Sequence, residues 1–366
     1  MKSKYRYFTI LFLMFLIILN IVPIVLGKTR KTYLKDFLFN TEVEGEGFKN
    51  GVGAGEPINE ATAYALEILD FYGLNAHEVN DLTTKLETEL ESMFDSDNIV
   101  LYDIYYLLKS LFLIDEDYEI DASLKNRIHL FINGTEQISG GFSFSNTSTL
   151  ASMSSTYFVV QIFNLILEPI PNVTIHKNWI ILCNNSDGGY GANSSSSSNL
   201  LTTYYAVSLL EILSFSVNDL ADKNQTLFYL NSFYIQNPSD TNNFGGYLPD
   251  LTAKDALIYY TFHCVSAISL IDENMLNKDQ TVKWILSRQY FQDGGFADIT
   301  EGTSQLMSSV VSSYYAFKTL ELFGSLGKLN AEVFMVEFNY WILLIIFASI
   351  GLVAVIGVII WRRRRI

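Results

Sequence analysis

Two glycines followed by an aromatic residue recur as Gly140-Gly141-Phe142, Gly188-Gly189-Tyr190, Gly245-Gly246-Tyr247 and Gly294-Gly295-Phe296, at spacings of 48, 57 and 49 residues. A fixed period of this length marks one supersecondary unit copied along the chain. After each turn comes an apolar run with paired aromatics: "STYFVVQIFNLI", "TTYYAVSLLEIL", "YTFHCVSAISLI" and "SSYYAFKTLELF". Two more degenerate copies stand earlier, "NEATAYALEILDFYG" after Gly47-Phe48 and "VLYDIYYLLKSLFLI" after Asp97, making six.

A second, amphipathic stretch precedes each turn, at 78–94, 121–132, 173–183, 222–236 and 277–289. Its apolar residues fall three and four apart, as Val282, Ile285 and Leu286 do, which is a single stripe on a helix. The runs after the turns are apolar nearly all round and must be covered on most sides. Each unit therefore pairs an outer helix with an inner one. The first outer helix is "RKTYLKDFLFN", residues 30–40, followed by "TEVEGEGF" as "WILSRQYF" is followed by "QDGGF". An open solenoid needs polar capping repeats, yet the last inner segment is as apolar as the middle ones. The pattern predicts an all-α fold, an (α/α)6 toroid closed by docking of the first outer helix beside the last unit.

The ends of the chain carry a different signal. Lys2, Lys4 and Arg6 precede an apolar stretch from Phe8 to Leu26, so residues 1–27 read as a signal peptide or an uncleaved signal anchor. Residues 341–360 are uncharged, flanked by Tyr340 and Trp361, and followed by Arg362, Arg363, Arg364 and Arg365. This predicts one C-terminal transmembrane helix (340–361), a juxtamembrane linker (331–339) and a cytoplasmic basic tail (362–366), with the toroid (28–330) outside a cell membrane. Six Asn-X-Ser/Thr sequons, at Asn133, Asn146, Asn172, Asn184, Asn193 and Asn224, are glycosylation candidates in such a segment. Of 24 basic and 39 acidic residues, setting aside the three basic residues at the N-terminus and the four of the tail leaves 17 against 39. That balance excludes nucleic acid as a partner. The two cysteines, Cys183 and Cys264, do not make a disulfide scaffold, and their pairing is left open.

The repeat "Q…DGGF", followed by "S/T-Y-Y-A" and a leucine-rich helix, resembles the α/α-toroid superfamily: protein prenyltransferase β subunits, squalene and hopene cyclases, and complement thioester domains. The resemblance spans residues 30–325 and implies the fold more strongly than any activity. It implies, for a prenyltransferase, a zinc held by Asp, Cys and His. Here Cys183 follows "WIIL", and His263-Cys264 occupy a Tyr slot and an Ala slot of the repeat, about 100° apart on one helix. No cofactor is expected. The cationic cluster for a diphosphate is missing. The nearest approach to a cyclase acid motif, Asp115-Glu116-Asp117, lies in the charged run "DEDYEID", and the thioester motif Gly-Cys-Gly-Glu-Gln is absent.

Inner helices that all follow the turns start at one rim, which should collect Asp187, Asp250, Asp255, Asp293, Asp298 and Glu301. These read either as turn and cap residues or as a carboxylate-lined mouth. The aromatic rows, Tyr157, Tyr204, Tyr205, Tyr314 and Tyr315, read as core, with one or two facing the centre. Ligand-binding candidates are thus Asp255, His263, Asp298, Glu301, Tyr204 and Tyr314. The expected function is a membrane-tethered surface binding module whose ligand is a lipid, a glycan or a basic peptide. The alternative is an enzyme of prenyltransferase or cyclase type, or a carbohydrate-active enzyme using two rim carboxylates.

Overall fold

The computed structural model describes residues 27–53, 55–96, 98–298, 308–333 and Arg362. The predicted signal segment, apart from Gly27, and the predicted transmembrane segment lie outside these residues. Among the described residues no helix is long and apolar enough to cross a membrane. The chain divides into two units, residues 29–331 and the two ends (1–28 with 332–366). All that follows concerns the first.

Among its described residues twelve α-helices alternate: α1 (Arg30–Thr41), α2 (Asn59–Phe71), α3 (Val79–Asp95), α4 (Leu101–Ile114), α5 (Ala122–Thr135), α6 (Met153–Leu165), α7 (Val173–Leu182), α8 (Leu200–Ile212), α9 (Lys223–Asn231), α10 (Ile258–Asp272), α11 (Lys278–Ser287) and α12 (Val310–Leu322). The even-numbered helices pack in the order α2, α4, α6, α8, α10, α12, and α12 packs back on α2. That closes an inner ring of six, with the odd-numbered helices outside it. Burial follows the sequence pattern: α8 buries ten of its residues, Leu200 and the continuous run Thr202–Leu210, whereas α3 buries only Leu82, Leu86, Leu90 and Met93, one stripe with spacings of four and three.

One hydrogen bond is repeated in five of the units. The aromatic residue of the turn donates its backbone N–H to a hydroxyl in the first turn or so of the inner helix: Phe48 to Thr62 (3.0 Å), Phe142 to Thr156 (2.9 Å), Tyr190 to Thr203 (2.9 Å), Tyr247 to Thr261 (3.0 Å) and Phe296 to Ser313 (2.9 Å). Those five rings are at most 1% exposed. The bond satisfies a buried donor and fixes the angle between turn and helix.

Closure explains the last of the repeated glycines. Gly294 has φ +98°, and a Cβ on it would stand 2.2 Å from the carbonyl oxygen of Tyr33 in α1. The first outer helix is thus seated on the last turn, as α7, α9 and α11 are seated on Gly140, Gly188 and Gly245. Arg30 donates to the Leu286 carbonyl (2.8 Å), Gln289 to the Arg30 carbonyl (2.9 Å), and the Val310 N–H to the Asn50 carbonyl (2.7 Å), all joining the two ends of this unit.

Candidate functional site

Each inner helix carries its aromatic positions at the same height: Tyr64, Tyr105-Tyr106, Tyr157-Phe158, Tyr204-Tyr205, Phe262-His263 and Tyr314-Tyr315. Together with Tyr259 and Lys109 they line a central cavity of about 110 Å³. The axis of the ring is therefore largely filled by rings, such as Tyr64 stacked on Tyr314 at 3.9 Å and His263 edge-on to Tyr204 at 4.5 Å.

Buried phenols need partners. Tyr106 donates to Glu60 (3.1 Å), Tyr64 bonds both Tyr106 (3.1 Å) and Tyr315 (2.6 Å), Tyr157 pairs with Tyr204 (3.3 Å), and Tyr314 donates to Glu67 (2.8 Å). Glu67 also holds two lysines, Lys109 at 2.6 Å and Lys318 at 3.0 Å. Burial alone would raise the Glu67 carboxyl; the two ammonium groups outweigh it and hold the group down to about 2. Burial lowers the pKa of Lys109, against the pull of Glu67.

Above the cavity lies a cleft of about 590 Å³, built from the first residues of five inner helices: Ile58, Asn59 and Glu60, then Val100, Tyr102 and Asp103, then Ser154, Leu201 and Tyr259. Tyr106, Phe158, Tyr205 and Tyr259 line both spaces, so one layer of side chains separates cleft from cavity. Asn59 spans two carboxylates, donating to Glu89 (2.7 Å) and Asp103 (3.2 Å). Burial raises the pKa of Glu60, opposed only by bonds from Tyr106 and Tyr64; no cation among the described residues acts on it. Acidic residues in a first helical turn are favoured by the helix dipole, which accounts for their charge at this rim but leaves Glu60 facing the cleft.

Of the residues singled out in the sequence, His263, Tyr204 and Tyr314 come together in the cavity wall. His263 donates Nδ1–H to the Tyr259 carbonyl (2.6 Å), and burial lowers its pKa to about 4. Asp298 does not join them. Its carboxylate caps α10 through the Ile258 N–H and accepts from Ser312 (2.6 Å). Asp255 is exposed in the loop before α10, and Glu301 lies outside the described residues. Asp187, Asp250 and Asp293 each accept the N–H two residues on, at 3.0, 2.8 and 3.1 Å, which is turn chemistry. Glu60, Asp103, Glu67 and Lys109 were missed by sequence reasoning. Their signal was isolated charge within apolar inner segments.

The zinc set implied by the resemblance does not fit. Cys264 donates to the Leu230 carbonyl and His263 to that of Tyr259, so the two do not converge. Among the described residues no group of three His, Cys, Asp or Glu could hold a metal ion. Both thiols are free and buried, Cys183 bonding the Trp179 carbonyl.

Residues 74–297 match the prenyltransferase alpha-alpha toroid domain. Among solved structures, the chain is similar to Candida albicans protein geranylgeranyltransferase-I complexed with GGPP, at 16% identity over 66% of this chain and 73% of that one, TM-score 0.53. It is also similar to the type II terpene cyclase MstE from Scytonema, at 12% identity over 81% of this chain and 98% of that one, TM-score 0.52. At such identities the likeness is one of fold. No curated protein matches the chain.

Proposed function

The chain belongs to the prenyltransferase alpha-alpha toroid family, and from that premise we propose that it is a binding module whose cleft receives a cationic group, the ammonium or guanidinium of a basic peptide. The observation that carries this is Glu60: a carboxylate lining a cleft of about 590 Å³, with tyrosines as its hydrogen-bond partners among the described residues. A cation entering there gains a charge-assisted bond and the faces of Tyr102, Tyr106, Tyr205 and Tyr259. The central cavity, about 110 Å³, is well below the roughly 300–1,000 Å³ of ordinary small-molecule sites, which argues against a long isoprenoid chain at the axis. The apolar lip of Ile58, Val100 and Leu201 suits residues flanking a lysine or arginine.

Calorimetric titration of the full chain with a short lysine- and arginine-containing peptide tests this. Binding should weaken with salt, and Glu60→Gln should weaken it at least tenfold, since hydrogen bonds to charged groups contribute about 1.5–3 kcal/mol. Equal affinity for an acidic peptide of the same length, or no effect of Glu60→Gln, refutes the assignment. The same proposal places the module outside a membrane, held by residues 341–360. Its support is the uncharged run flanked by Tyr340, Trp361 and four arginines, and resistance of the full chain to carbonate extraction is the measurement.

A further inference from the structure

The cavity beneath the cleft holds a constellation that the binding reading does not use. Lys109 lines its wall, Glu67 lies behind it at 2.6 Å, and the Tyr314 hydroxyl stands 3.3 Å from the Lys109 nitrogen and 2.8 Å from Glu67. Lys318 sits on the other oxygen of Glu67, at 3.0 Å. A lysine taken out of water with a second cation close by is one recognised way to make an amine nucleophilic.

We propose that Lys109 is a nucleophilic amine that captures a small aldehyde or ketone as a Schiff base in the central cavity. Space limits the ligand. A cavity of about 150 Å³ accommodates benzene, so about 110 Å³ admits a carbonyl compound of roughly three to five heavy atoms.

The groups needed for the reaction are in place. Burial and the nearby Lys318 favour loss of one proton from the Lys109 ammonium to water, leaving the free amine, while Glu67 stays ionised between the two lysines. The nitrogen lone pair forms the C–N bond at the carbonyl carbon, and the amine proton passes to the former carbonyl oxygen through the Tyr314 hydroxyl. Tyr314 then protonates the carbinolamine hydroxyl, which leaves as water, and recovers from water the proton released in the first step. The nitrogen ends as a protonated imine, carrying the same positive charge beside the same carboxylate. The ion pair that ties α2, α4 and α12 is therefore kept, and no oxidant, metal or further reactant is needed.

A purely structural reading is that Lys109 only neutralises Glu67 at the ring's closure. The two readings part on reactivity and size. The full chain is incubated with propanal and cyanoborohydride, and alkylated lysines are located by peptide mass spectrometry. Lys109 should be labelled roughly tenfold faster than the exposed Lys254 and Lys283, because burial and the neighbouring Lys318 favour its free, nucleophilic amine. A bulky aromatic aldehyde should label the exposed lysines and spare Lys109. Tyr314→Phe, which keeps the ring stacked on Tyr64, should slow labelling of Lys109 about tenfold or more and leave the exposed lysines unchanged. Lys109 remaining unlabelled by propanal while exposed lysines react overturns the proposal, as does labelling of Lys109 without size preference. Unchanged labelling in Tyr314→Phe removes that residue's role. None of these outcomes bears on the cleft, whose own test is peptide titration.

Discussion

Replacing His263 by phenylalanine should flatten the acid limb of this protein's stability. His263 is 4% exposed, donates Nδ1–H to the Tyr259 carbonyl, and is packed against Tyr204, Tyr259 and Tyr315, so burial keeps it neutral with a pKa of about 4. In the unfolded chain the same ring titrates near 6.5. Below pH 6.5 the unfolded state takes up a proton that the folded state refuses. Stability therefore falls as pH falls from 6.5 to about 4, and is fully present above that window. At about 1.4 kcal/mol per pH unit the whole effect is roughly 3 kcal/mol, of which about 2.5 kcal/mol is reached by pH 4.5. Other groups titrate nearby. His176, also lowered by burial, acts in the same direction, Glu60 and Asp298, raised by burial, act oppositely, and Glu67, held at about 2, contributes loss only below 4.5. Comparing wild type with the variant cancels these. Urea unfolding of the full chain, followed by tryptophan fluorescence at about pH 7.5 and about pH 4.5, should show wild type losing roughly 2.5 kcal/mol more than His263→Phe. A variant that loses as much as wild type would mean that the ring is protonated or solvated in the fold, and the reasoning fails.

Gly294→Ala combines a left-handed backbone with a Cβ 2.2 Å from the Tyr33 carbonyl, so it should cost about 2–4 kcal/mol, read as a lower urea midpoint; an unchanged midpoint would show that α1 is not seated on this turn. Of the six sequons, Asn133, Asn146, Asn172 and Asn224 are exposed, whereas the half-buried Asn184 donates its amide to the Gly188 and Gly189 carbonyls. Glycopeptide mass spectrometry on secreted material should find glycans at the exposed four and none at Asn184, and full occupancy at Asn184 would count against the turn geometry.

The architecture was legible because a repeat reports the same physics several times. The stretch 277–289 became Lys278–Ser287 and 173–183 became Val173–Leu182, since a single apolar stripe has one packing solution. Closure was legible from the apolar last inner helix, and α12 does pack on α2. The site was not, because a repeat is silent about where its copies differ. Lys109 shares "LYDIYYLLKSLFLI" with Asp103, and Glu67 shares "NEATAYALEILDF" with Glu60 and Asp70. Whether such a charge faces the axis or a neighbour depends on how each inner helix is rotated between two partners, and one residue changes that direction by about 100°. The aspartates beside the glycines, by contrast, were visible and local, and they serve the turns.

The tyrosine-filled axis and the carboxylates are one arrangement. Six inner helices leave a space at their common axis, and phenol rings fill it at the price of hydroxyls that need acceptors. Two chains of hydroxyls end on carboxylates: Tyr315, Tyr64 and Tyr106 lead to Glu60, and Tyr314 ends on Glu67. Glu67 is balanced by Lys109 and Lys318, and is thereby closed within the ring. Glu60 has hydroxyls and no cation among the described residues. A stability requirement alone would favour the same compensation at both ends, since an unbalanced half-buried charge is costly. The uncompensated end is the one that opens on the cleft, which is where the proposed basic peptide would place its cation.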